Sequence, residues 1–190
     1  MKNIFLIGFL ILATLSCKAQ NILPVEELVN YWGTNEGIPK NITYVKDINN
    51  ILNKFTGTWK GNYNNLEYEF RVFKITRTSK IRMLTIDELI IRYKITDSNG
   101  LVIEDTTMLP DDSVYVIKGR YLAKTGSYVL SYIGKDSNCG QNGTVFIGIL
   151  SETRGAKMQL FLHPDGETID CNKQGVTQIL PTEVITLTKQ

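Results

Sequence analysis

The chain has 190 residues, 43% of them hydrophobic and 21% charged, the size of one domain with a sizeable core. Its 21 basic and 19 acidic side chains leave a net charge of +2, which excludes the strongly basic surface that nucleic acid requires.

Met1, Lys2 and Asn3 precede an uncharged run from Ile4 to Leu15, rich in isoleucine, leucine and phenylalanine. A membrane-spanning helix needs roughly 20 apolar residues, and this run is shorter. A basic start, an apolar stretch and then small residues predict a secretory signal peptide over residues 1–19, and hence export to the periplasm, the medium or the cell envelope. Two processing routes stay open. Cleavage after Ala19 leaves Gln20 as the new terminus, whereas Thr14-Leu15-Ser16-Cys17 is similar to a lipobox and would make Cys17 an acylated anchor. That anchor is the membrane attachment expected of the chain. Either route removes Lys2, and cleavage after Ala19 removes Lys18 as well, leaving 19 basic side chains against 19 acidic ones.

Residues 20–43 read as an irregular arm, with Pro24, Gly33, Gly37 and Pro39, in which only "VEELVNYW" can form a short helix. The domain proper is expected over residues 44–190. It opens with "YVKDINNILNKF", where Ile48, Ile51, Leu52 and Phe55 share one face of an amphipathic helix and Asp47 caps its start. The period then changes to two. In "FTGTWKGNY", Phe55, Gly57, Trp59, Gly61 and Tyr63 oppose Thr56, Thr58, Lys60 and Asn62, the pattern of a half-buried strand. Asn64-Asn65 forms a tight turn, and Leu66, Tyr68, Phe70 and Val72 line the buried face of the returning strand. "ELIIRYKI" repeats the alternation through Leu89, Ile91, Tyr93 and Ile95, and Asn99-Gly100 makes a hairpin before "LVIED". Further strands are expected at 113–122, 127–134, 144–150, 157–163 and 183–188.

Short strands joined by hairpins predict a mainly β fold, an antiparallel meander closing into a barrel, with a β-sandwich as the alternative. With Cys17 removed or acylated, Cys139 and Cys171 remain as an even pair in an oxidising compartment and predict a disulfide. No metal site is expected: no CxxC spacing occurs, and His163, the sole histidine, stands outside any ligand pattern. "PDGETIDC" holds Asp165, Glu167 and Asp170, but departs from the calcium-loop spacing and reads as a polar loop. "NCGQNG" lacks the context and the lysine of a phosphate cradle, so no cofactor is implied. Lys74, Arg77, Lys80 and Arg82 form a local basic cluster, which reads as a solvated loop or protected edge strand, or else meets an anionic glycan or membrane surface.

The short helix leading into Gly57-Thr58-Trp59 resembles the opening of lipocalins and related calycin barrels, whose first strand carries G-x-W. That resemblance implies a tryptophan at the closed end of the barrel beside a basic residue from a late strand, a part that falls to Lys189. The longer string "YVKDINNILNKFTGTWKG" resembles a family of uncharacterised exported proteins of flavobacteria and their relatives. This second resemblance implies location and fold, and also O-glycosylation at Asp105-Thr106-Thr107 and Asp112-Ser113-Val114.

No catalytic constellation is legible, the single histidine allowing at most one Ser–His arrangement, so no enzymatic activity is expected. The functional reading is therefore a barrel that binds a small apolar, amphipathic or glycan ligand through Trp59, Tyr63, Tyr68, Phe70 and Tyr93. Its alternative is a barrel filled by those same side chains, acting through its outer surface.

Overall fold

The computed structural model describes residues 21–166, 171 and 176–190. The segment expected to be a signal peptide, with Cys17, and the acidic Glu167 and Asp170 lie outside the described residues. The described strands are β1 (Ile22–Pro24), β2 (Tyr44–Lys46), β3 (Gly57–Tyr63), β4 (Leu66–Ser79), β5 (Leu84–Asp97) and β6 (Val102–Asp105), followed by β7 (Ile117–Leu122), β8 (Tyr128–Ile133), β9 (Asn142–Ile149), β10 (Lys157–Pro164) and β11 (Ile185–Lys189).

The alternation at Gly57 sets the architecture. Trp59 is fully buried on β3 while Lys60 is exposed, and β4 returns with Tyr68, Phe70 and Val72 buried opposite Gly61, Trp59 and Gly57. The turn between them uses Asn64 and Asn65 at φ +49° and +61°, left-handed angles that asparagine accepts more readily than other residues with a β-carbon. Eight strands then run in the order β5-β4-β3-β11-β10-β9-β8-β7, and β7 closes the ring on β5 through Ile90↔Lys118 and Ile91↔Ile117. Every neighbouring pair in that ring is antiparallel. The barrel is closed, which leaves these strands without free edges and decides against the sandwich.

β5 is the hub. Beyond the ring it pairs with β6 at Lys94–Thr96 and, in parallel, with β2 at Thr85 and Ile86. β1 adds to β2 in the same direction. The arm is thus drawn against the barrel: Leu23, Val25 and Leu28 join the core, the last two from a 3-10 turn over Val25–Asn30.

The amphipathic helix expected from Tyr44 to Phe55 is a strand followed by one 3-10 turn, Ile51–Phe55, with Ile48 half exposed. Asn50 takes φ +55°, which no helix interior allows. Long-range polar bonds claim the residues before it. Tyr44 donates to Asp87 at 2.9 Å, Asp87 accepts the Asp47 amide at 3.0 Å, and Lys74 donates to Asp47 at 3.2 Å. Asp47 keeps its capping role one turn later, accepting the amides of Ile51 at 2.8 Å and Leu52 at 3.2 Å.

Cys139 and Cys171 are joined in a disulfide.

Candidate functional site

The barrel's two ends are built differently. At one end the Ile51–Phe55 turn seals the barrel with Leu52 and Phe55, both fully buried. The Trp59 indole donates to the Phe55 carbonyl at 2.8 Å, and Phe55 packs on Tyr128 with ring centroids 6.0 Å apart. Lys189 is paired with Trp59 in register, and its ammonium lies 5.2 Å from the ring centroid. Gly57 makes room for that lysine: a β-carbon there would come within 2.9 Å of Lys189 Cε. This is the arrangement that the G-x-W resemblance implied.

The other end holds a continuous aromatic chain. Tyr68 stacks on Phe70 at 5.9 Å, Phe70 meets Tyr93 at 6.3 Å, and Tyr93 meets Tyr132 edge-on at 6.4 Å. All four are buried. Residues 176–182 span this end. Thr177 accepts from Gln141 at 2.9 Å, Gln178 donates to the Gly140 carbonyl at 3.2 Å, and Ile179 accepts from the Tyr68 hydroxyl at 3.0 Å. Pro181 accepts the Leu162 amide at 2.7 Å, and Leu180 enters the core. The segment therefore bridges β4 and the start of β9, which β3, β11 and β10 separate in the ring. The Cys139–Cys171 bond ties the chain just before it to the loop in front of β9.

Beneath this cap the phenols are held neutral. Burial pushes the Tyr68 hydroxyl up to about 12. Burial is also the main cause of the upward shift of Tyr93, joined by Tyr132 and the Glu104 carboxylate. Burial raises Tyr132 too. Glu104 is nearly buried and pairs with the exposed Lys135 at 2.9 Å. The Tyr132 hydroxyl lies in the interior against Gly134, where it interacts with the Tyr93 phenol but completes no well-formed hydrogen bond. Neutral phenols at ordinary pH orient a polar group by hydrogen bonding and supply no ready base.

The five aromatic residues singled out from the sequence divide between these places. Tyr68, Phe70 and Tyr93 belong to the chain under the cap; Trp59 belongs to the sealed end; Tyr63 is half-buried at the end of β3. Tyr132, Glu104 and Gln141 were not expected. Tyr132 was legible, because Tyr128, Leu130 and Tyr132 alternate on β8.

Other expectations also resolve. The basic cluster is half neutralised: Lys74 pairs with Asp47, and Arg77 makes a two-pronged contact with Glu88 at 2.6 and 3.0 Å. His163 is exposed on β10. Thr106, expected on the surface as a glycosylation acceptor, is fully buried, bonding both the amide and the carbonyl of Tyr93 through its hydroxyl. Among the described residues no group of three or more His, Cys, Asp or Glu is placed to hold a metal ion. Nor is any helix among them long and apolar enough to cross a membrane.

A family described as a family of unknown function, DUF6705, matches over residues 1–190. No curated protein and no solved structure matches the chain.

Proposed function

We propose that this chain, which belongs to the DUF6705 family of unknown function, is an exported protein whose barrel admits a small apolar or amphipathic ligand at its capped end. The observation that carries the reading is the Tyr132 hydroxyl, interior and without a well-formed hydrogen bond beside Tyr93. With only the neighbouring Tyr93 phenol to interact with, this hydroxyl is under-satisfied, and a ligand bearing one hydrogen-bonding group would complete its bonding. The surrounding rings offer such a ligand apolar contact area. The cap is fastened by hydrogen bonds and by a short apolar stretch, with Leu180 and Pro181 buried and Ile179 packed against the core, so entry requires these few contacts to part. Export is supported by the apolar run after Lys2 and by the disulfide, which persists in oxidising compartments.

A second reading has its own support. The Tyr68–Phe70–Tyr93–Tyr132 chain is closely packed and buried, as in a barrel filled by its own side chains. One experiment separates the two. Protein recovered from its native host, beginning at Gln20 or at an acylated Cys17, is titrated with a fluorescent fatty-acid analogue. Binding is expected to saturate at one equivalent and to weaken in a folded Tyr93→Ala variant. Absence of saturable binding leaves the filled barrel, and an intact Met1 overturns export.

A further inference from the structure

The β4–β5 hairpin runs past the ring of the barrel and ends in the turn Lys80-Ile81-Arg82-Met83, where all four residues are exposed. Ile81 is 98% exposed and Met83 77%, the most exposed large apolar residues at this end of the molecule. Turn chemistry does not explain the methionine. Met83 sits at φ +51°, where glycine or asparagine is the low-cost choice, and it presents an apolar side chain to solvent instead. Lys80 and Arg82 alternate with these two residues. They make no ion pair among the described residues, whereas Lys74 and Arg77 further down the hairpin are paired. A groove of about 530 Å³ continues the surface from Ile81, Arg82 and Leu84 to Ile38, Pro39 and Lys40, with Glu36 at its margin.

The direction of the chain adds a second, independent observation. Ile22 pairs with Tyr44 and Tyr44 with Thr85, in strands that all run the same way. The described chain therefore begins, at Asn21, beside the 80–83 turn. Apolar side chains are also exposed at the opposite end, Leu101 and Val102, but Asp97 and Asp105 stand beside them. An anionic surface would repel that end and attract this one.

We propose that the 80–83 turn is a membrane-docking tip: Ile81 and Met83 enter the interface of an anionic lipid bilayer while Lys80 and Arg82 engage its headgroups. Exposed apolar residues flanked by free cations suit the boundary between headgroups and acyl chains. If Cys17 is acylated, the anchor and the tip address the same bilayer; without acylation, the tip docks alone and reversibly. The proposal is independent of whether the barrel binds a ligand.

The test uses the full chain with Cys17→Ser and Met83→Cys, the new thiol carrying an environment-sensitive apolar fluorophore. A matched chain carries the label at Ser98→Cys, at the opposite end. Mixed phosphatidylcholine–phosphatidylglycerol vesicles are expected to shift emission to the blue at position 83 and not at 98, with little response to phosphatidylcholine alone. Replacing Lys80 and Arg82 with glutamine should weaken partitioning by roughly thirtyfold, and added salt should weaken the parent chain similarly. No shift at 83 overturns the proposal, as does an equal shift at both positions. Unchanged partitioning of the glutamine variant would show the N-terminal apolar run acting alone and overturn it too. So would binding to a soluble anionic polysaccharide with no response to vesicles.

Discussion

The two ends of the barrel solve one problem by opposite means. The sealed end is closed by a turn that runs directly into the strand it seals: Phe55 and Trp59 are four residues apart and bonded to each other. The capped end is closed by a segment whose partners are remote, Tyr68 lying 111 residues from Ile179. Local closure through fully buried rings makes a permanent floor. Remote closure through hydrogen bonds, around the short apolar stretch Ile179–Pro181, makes a cover, and the disulfide beside it is expected to hold that cover in place. Free energies of local opening follow such differences in buried apolar contact, so the two ends should open separately.

The largest expected effect is at the floor. Trp59→Ala removes a fully buried indole, its bond to Phe55 and the platform under Lys189. A loss of about 3–5 kcal/mol is expected, with global unfolding by heat or denaturant shifted accordingly. A loss below about 1 kcal/mol would mean that the floor is not the foundation of the barrel.

The tether comes next. The disulfide joins residues 32 apart in sequence and lies beside the cap. Replacing both cysteines with serine should cost about 3–4 kcal/mol on the chain-entropy view. The sharper readout is spatial: amide exchange at Thr177–Leu180 should accelerate well before exchange at Leu52 and Phe55. Equal acceleration at both ends would erase the distinction between floor and cover.

The same contrast governs what the sequence discloses. The barrel strands were legible because alternation is a local signal, and the Asn64-Asn65 and Asn99-Gly100 turns are written in residues that accept positive φ or lie beside one that does. The floor was legible only through the resemblance that Gly57 and Trp59 carry, not through alternation. The helix expected over 44–55 went astray where tertiary contacts outbid periodicity: Tyr44 and Asp47 are committed to Asp87 and Lys74, and Asn50 turns left-handed. The cap left no periodic trace at all. Thr177, Ile179 and Pro181 act through backbone carbonyls, groups that every residue carries, and Gln178 acts through a lone side-chain amide that no periodicity marks. Thr106 misled in the other direction, because a hydroxyl that reads as surface is spent on satisfying the backbone of β5.

The smallest expected effect is the most discriminating, because it compares two hydroxyls under one cap. Tyr68 donates to the Ile179 carbonyl, so Tyr68→Phe strips the cap of a bond and leaves a half-buried acceptor unpaired. That should cost about 1–2 kcal/mol and speed exchange in the cap. Tyr132 carries an interior hydroxyl with no well-formed partner, so Tyr132→Phe removes a desolvated polar atom and keeps the ring against Tyr93. In the empty protein this change should fall within about 0.5 kcal/mol of neutral, or stabilise. Its effect should appear on binding instead, as weaker retention of a fatty-acid analogue by a protein that is no less stable. If Tyr132→Phe destabilises as much as Tyr68→Phe, the Tyr132 hydroxyl has a structural partner and the ligand reading loses its main support. If it is neutral in both stability and binding, the phenol is a passive part of a filled core.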